Sequence, residues 1–229
     1  MTTVLLVRHG LTAANASGVL AGWTPGIGLS DKGREQVAAL ASRLASVPVA
    51  AVVSSPLQRC RETADLLAGG RATAVEEDER LGECRYGEWT GKELKTLAKD
   101  PLWKVVQAHP SAAAFPGGEA LRETQARAVE AVREINARVG DGATWLLVSH
   151  GDVLKAILAD ALGMHLDMFQ RIQVDPASLS IVQYTTLRPF VVRLNDTGGS
   201  AVPPAPRSRR RRRSSDAAVG GGAGPDAGA

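Results

Sequence analysis

The residues with most chemical potential in this chain sit where aliphatic runs stop abruptly. Residues 4–7 lead into Arg8-His9-Gly10. Residues 49–53 lead into Ser54-Ser55-Pro56, with Arg59 following shortly, and residues 145–148 lead into Ser149-His150-Gly151. Arginine offers a planar fork of donors matched to phosphate oxygens. Neutral imidazole is a competent nucleophile toward phosphorus, provided one ring nitrogen is unprotonated and an acceptor such as a backbone carbonyl holds the other. Two arginines and two histidines brought together would therefore make a strongly anion-seeking site. A tight strand-to-glycine turn would hold His9 rigidly, and Gly10 would let a phosphate approach the backbone. Arg8 would neutralise charge on the phosphoryl group, whose transfer depends mainly on positioning and electrostatics.

Such convergence requires the three runs to be neighbouring strands. Residues 4–7 read as a short buried strand stopped by Gly10. Ser30 is a candidate cap for a helix carrying Val37, Leu40, Ala41 and Leu44 on one face. Residues 49–53 read as a second strand, and the helix after it places Leu57, Cys60, Ala64 and Leu67 on one side. A further short strand is expected at residues 72–75. Residues 76–118 are polar and irregular, with two short helices expected at 92–99 and 102–108. A long insertion of this kind inside a domain often forms a lid or binding region. A long helix over 119–139 presents Leu121, Ala128, Val132 and Ile135 inward. Residues 145–148 read as a strand, 153–162 as a helix, and 179–184 and 190–194 as closing strands. Strands alternating with helices predict an α/β domain, three-layered with a mostly parallel sheet. The last two strands are joined too briefly for a parallel crossover, so they form an antiparallel edge pair. In such sheets ligands gather at the carboxyl ends of the strands, where the three polar segments and the lid would meet.

The bulk properties narrow the function further. The chain has 229 residues, 44% of them hydrophobic, enough for one sizeable core. No stretch approaches the roughly 20 apolar residues of a membrane span. No secretion signal is visible and the two cysteines form no metal or disulfide pattern, so a cytoplasmic location is expected. The net charge is +3, but residues 198–229 hold six arginines against two aspartates, leaving the remainder at −1. A nearly neutral body does not resemble a nucleic-acid-binding domain. The division expected is a domain over 1–197 and a disordered Arg/Gly/Pro/Ala-rich tail over 198–229.

The segment Arg8-His9-Gly10-Leu11-Thr12-Ala13-Ala14-Asn15 resembles the RHGxTxxN signature of the histidine phosphatase superfamily, the phosphoglycerate-mutase-like phosphatases of branch 1. Five further segments follow in that family's order. They are Gly28-Leu29-Ser30 through Gln36, Ser54-Ser55-Pro56-Leu57-Gln58-Arg59 through Ala64, Leu81-Gly82-Glu83 with Tyr86-Gly87-Glu88-Trp89-Thr90-Gly91, Pro116-Gly117-Gly118-Glu119, and Val148-Ser149-His150-Gly151. Five such matches in order, beside the first, exclude coincidence. The resemblance implies that His9 accepts the phosphoryl group as phosphohistidine. It implies that Arg8, Arg59 and His150 hold the phosphate oxygens, and that Asn15, Thr12, Gly22 and Gly151 belong to the phosphate-binding set. Glu83 would protonate the departing alcohol and then activate water, which requires a raised pKa beside a neutral His9.

The function implied is a phosphomonoesterase acting on a small phosphorylated metabolite. No cofactor, metal, specific nucleic acid or membrane span is expected, and homodimerisation stays open. Two alternatives stand beside it: a phosphoglycerate-mutase-type phosphomutase and a non-catalytic phosphate-binding protein. Mutases of the family usually continue the glutamate with Arg-His-Tyr-Gly and carry an arginine pair in the lid. Here the glutamate is followed by Cys84-Arg85-Tyr86-Gly87, and between Pro101 and Gly118 the only cation besides His109 is Lys104. The lid offers Trp103, Val105, Val106 and Phe115 instead, which would suit an apolar or amphipathic alcohol. Glu88, Glu79 and Asp78 compete with Glu83 for the acid role. Glu119 would line the site or favour a helix start. His109 and His165 read as surface residues, and Cys60 and Cys84 as packing residues.

Overall fold

A computed structural model describes residues 1–199 and 219–222. In chain order its elements are β1 (Thr2–Arg8), α1 (Ala13–Ser17), α2 (Asp31–Leu44), β2 (Val52–Ser54), α3 (Gln58–Ala68) and β3 (Val75–Glu77). They continue with α4 (Leu94–Leu97), α5 (Pro101–Ala108), α6 (Leu121–Val139), β4 (Thr144–Ser149), α7 (Gly151–Ala161), β5 (Leu179–Tyr184) and β6 (Pro189–Asp196). The strands form one sheet in the order β3-β2-β4-β1-β5-β6. The β3–β2, β2–β4 and β4–β1 pairs are parallel. Both joins of β5, to β1 and to β6, are antiparallel.

Alternation along the buried strands divides the core into two layers. Leu5 and Val7 of β1, with Val52, Leu146 and Val148, pack against Val37, Leu40 and Leu44 of α2 and Cys60, Ala64 and Leu67 of α3. Val4 and Leu6, with Val53, Trp145 and Leu147, face Ala128, Val132 and Ile135 of α6 and Leu154 and Ile157 of α7. Ser30 caps α2 as expected, its side chain accepting from the Gly33 N–H at 3.1 Å.

The register aligns the chemical segments. Arg8 pairs with Ser149, and Ser54 with Val148, so β1, β2 and β4 finish together at one edge of the sheet. The insertion starts there. Asp78 N–H donates to Ser54 O at 2.9 Å, and Ser149 Oγ donates to Leu81 O at 2.6 Å. Its short helices are α4 and α5, close to the stretches expected for them.

One reading of the insertion needs correction. Trp103, Val106 and Phe115 are not presented to a ligand but lie inside the core. Trp103 stacks on Trp89 at 6.1 Å, and Phe115 meets Tyr86 edge-on at 5.0 Å. A polar insertion must bury its own aromatics to stay folded, which overrides the sequence impression of an apolar ligand face.

Most of the expected tail, residues 200–218 and 223–229, lies outside the described residues. Residues 219–222 form a short turn against the domain, with Val219 buried.

Candidate active site

His9 follows the last residue of β1, and its N–H donates to Ser149 O at 3.0 Å. Its Nδ1 lies 2.8 Å from its neighbour's carbonyl, Gly10 O. A carbonyl can only accept, so Nδ1 carries the proton and Nε2 carries the lone pair. Burial, reinforced by the charges of Arg59 and Arg8, holds the His9 pKa well below its ordinary value. The ring is therefore neutral at neutral pH. The reason for Gly10 differs from the one expected. A Cβ there would lie 2.7 Å from Gly33 O and 2.8 Å from a Val37 methyl, so the close passage of α2 excludes a side chain. Room for phosphate is not what that space provides.

Arg59 enters from α3 and is buried. Its Nη2 donates to Gly22 O at 2.9 Å and to His150 Nδ1 at 3.1 Å. Because Nδ1 of His150 accepts, Nε2 bears the hydrogen, and Nε2 lies 2.7 Å from Ser55 Oγ. Burial first, then Arg59, lowers the His150 pKa well below its ordinary value. The His9 and His150 rings meet edge-on with centroids 5.3 Å apart. Cys60 packs behind them, its thiol pushed up to about 12 by burial, which fits a packing role.

Glu83 is buried at the same place, with Oε2 3.8 Å from His150 Nδ1. Burial, then the negative charge of Asp152, pushes its carboxyl up to about 7. Below that pH both groups are neutral, so their contact is not an ion pair. The chain around Glu83 is clamped. Arg127 of α6 donates to Arg80 O at 2.5 Å, Gly82 O at 2.8 Å and Glu83 O at 3.1 Å. Trp23 Nε1 donates to Glu83 O at 2.6 Å. Arg127 also pairs with Glu119 at 2.6 Å, and Glu119 in turn accepts from Arg85 N–H at 2.8 Å. Glu119 thus braces this loop.

A cleft opens over these groups, lined among others by His9, Asn15, Gly22, Arg59, Glu83 and Leu20. Thr12 caps α1 and its backbone N–H and hydroxyl both donate to Asn15 Oδ1, at 3.2 and 2.9 Å, turning the donor end of that amide outward. Arg8, Thr12, His150 and Gly151 are buried behind the lining. Arg8 Nη1 donates to Val174 O at 2.8 Å. The structure thus brings His9, Arg59, His150 and Glu83 into one cluster, with Arg8, Asn15 and Gly22 around it. Of the competing carboxylates, Glu79 pairs with Arg85 at 3.8 Å and Asp78 with Arg80 at 2.8 Å. His109 and His165 are exposed.

Sequence reading missed Arg127, Trp23 and Asp152. Asp152 is buried and accepts from Tyr86 Oη at 2.8 Å. Its position two residues after His150, at the start of a helix, was the available signal. Nothing in sequence spacing ties Arg127 to Glu83.

The profile of the Histidine phosphatase superfamily (branch 1) matches residues 4–197. The chain belongs to this family. A bifunctional protein of Mycobacterium tuberculosis is 36% identical over 203 residues, covering 86% of this chain and 54% of that protein. The chain thus spans about half the length of the first curated relatives it matches. A 2,3-bisphosphoglycerate-dependent phosphoglycerate mutase of Gloeobacter violaceus is 30% identical over 181 residues, covering 76% of this chain and 82% of the mutase. The solved structure of YhfR from Bacillus stearothermophilus superposes with a TM-score of 0.80 at 33% identity, covering 86% of this chain and 98% of that one. Other relatives are the phosphoserine phosphatase 1 of Hydrogenobacter thermophilus, 28% identical over 200 residues, and a probable phosphoglycerate mutase of Erwinia tasmaniensis, 28% identical over 186 residues. Among the described residues no helix is long and apolar enough to cross a membrane.

Proposed function

We propose that this histidine phosphatase superfamily chain is a metal-independent phosphomonoesterase that works through a phosphohistidine at His9. The observation that carries the reading is the Nδ1 contact of His9 with Gly10 O, which leaves the Nε2 lone pair in a cleft shared with Glu83. In the first step Nε2 bonds to phosphorus as the ester P–O bond breaks, and protonated Glu83 gives its proton to the departing alkoxide. In the second, Glu83 carboxylate takes a proton from water as that water attacks the phosphohistidine, and phosphate leaves with His9 restored. Arg59 and Arg8 supply the positive charge opposite the phosphoryl oxygens, the work a metal ion does elsewhere. Asn15 adds a neutral donor.

A monoester is favoured over a bisphosphoglycerate by the lining. Arg59 is the cleft's only charged cation among the described lining residues, and Val19, Leu20 and Leu94 supply apolar walls. The substrate class is therefore a small phosphorylated metabolite whose alcohol carries no second anionic group.

The test is turnover of p-nitrophenyl phosphate, quenched into base and followed by peptide mass spectrometry. The expected result is a phosphoryl group on the peptide carrying His9 and no turnover by His9→Ala. A label on another residue, or equal rates in both proteins, removes the nucleophile. Turnover of 3-phosphoglycerate in the presence of 2,3-bisphosphoglycerate without phosphate release would establish the mutase instead.

A further inference from the structure

The C-terminal residues 219–222 enter the cleft from a remote part of the chain. Val219 and Gly220 line it beside His9 and Arg59, together with Gly222. Val219 is only 1% exposed and joins the same hydrophobic cluster as Leu20 and Tyr86. Gly220 N–H donates to Asp152 Oδ2 at 2.9 Å. The carbonyls of Gly220 and Gly222 lie 3.1 and 2.6 Å from Arg8 Nη2. A guanidinium Nη carries two hydrogens, and these two carbonyls take both. The oxygens therefore occupy donors that a phosphate would need.

The sequence at the turn fits this placement. Gly220 has φ +74°, in the left-handed region that favours glycine, and a Cβ there would sit 3.2 Å from a Leu20 methyl. A bulkier residue would be strained and crowded.

We propose that the phosphate cradle is also the binding site for residues 219–222 of its own chain, which compete with the phosphate ester as an internal, uncharged pseudo-ligand. The inference rests on reading the cradle as a phosphate site. A neutral carbonyl holds an arginine less strongly than a phosphate anion does. Tethering offsets that disadvantage, because a segment on the same chain meets the cradle at an effective concentration on the order of millimolar. Phosphate must displace the segment, so apparent affinity falls by the fraction of molecules in which the cradle is open. The segment does no chemistry and leaves the reacting groups intact, so the effect belongs to KM and not to kcat.

The test uses the full-length chain and two variants within the segment. Val219→Asp places a charge in an apolar slot, and Gly220→Pro removes the N–H given to Asp152 and forbids the positive φ. Both are expected to bind inorganic phosphate about threefold or more tightly than the parent in calorimetric titration. The KM for p-nitrophenyl phosphate should fall by the same factor at unchanged kcat. A synthetic peptide of residues 217–223 should restore the parental KM competitively. Unchanged phosphate affinity in both variants overturns the proposal. Phosphate binding is read without turnover, so tighter binding in proteins that hydrolyse nothing would uphold this inference while removing the phosphatase reading.

Discussion

Arg59 Nη2 reaches His150 Nδ1 at 3.1 Å while the same nitrogen holds Gly22 O at 2.9 Å, so one guanidinium group fixes both a histidine tautomer and a wall of the cleft. Lysine could not reproduce this. Its ammonium is a compact charge on a flexible stem and lacks the planar fork. Arg59→Lys is expected to lower kcat on p-nitrophenyl phosphate by about 100-fold, in the range found when one transition-state donor is removed. His150→Ala should also lower it, and because the two residues share one contact, the double variant should lose less than the product of the single losses. Multiplicative losses would show that they act separately.

The pH dependence follows from two opposite displacements. Burial and neighbouring cations hold His9 well below its ordinary pKa, so it stays a neutral nucleophile far into acid. Burial and Asp152 push Glu83 up to about 7, so the acid needed for the first step is lost above that pH. A plot of kcat/KM should therefore be bell-shaped, with its alkaline limb near pH 7 and its optimum on the acid side. With a simple alkyl phosphate as substrate, Glu83→Gln should lower the rate by about 100-fold or more and abolish that alkaline limb. A flat profile between about pH 4 and 9 would separate neither group from solvent and would remove the acid–nucleophile pair.

The same displacement has a cost in stability. Glu83 holds its proton more tightly in the folded chain than in the unfolded one. Its contribution is fully present below the ordinary carboxyl pKa and is lost as pH rises through about 7. Folding stability should thus decline across this interval by something on the order of 3 kcal/mol at most from this group. Glu83→Gln carries no charge to desolvate. Denaturant melts at pH 5 and pH 8 should show the variant gaining stability relative to the parent at pH 8. An equal difference at both pH values would mean that Glu83 is not buried as a reluctant anion.

How far the sequence carried this picture depends on whether a feature is local. The strand ends at Arg8 and Ser149 were readable because an aliphatic run halts at a polar turn, and the sheet edge they share follows from α/β topology. The Ser30 cap was readable because capping is a three-residue event. The fate of Trp103 and Phe115 was not, since a lid for substrate and a self-packing insertion have the same composition. The role of Gly10 was misread for a related reason: the neighbour that excludes its Cβ is Gly33, on another helix. Residues 219–222 look like low-complexity tail, and only the arrangement of Arg8 and Asp152 gives them a place to dock.

Arg127 offers a last separation between chemistry and positioning. It touches no reacting group, yet three carbonyls from Arg80 to Glu83 converge on its Nη atoms, and Glu119 keeps it oriented. Without it the loop would lose the grip that holds Glu83 in the cleft it shares with His9. Misplacing a general acid matters little when the leaving group is stable as an anion and much when it is not. Arg127→Met should therefore leave hydrolysis of p-nitrophenyl phosphate within about threefold of the parent while lowering hydrolysis of a simple alkyl phosphate by about tenfold or more. Structural damage alone would reduce both substrates equally. A uniform loss across leaving groups would therefore place Arg127 in the fold's support and not in the positioning of the acid.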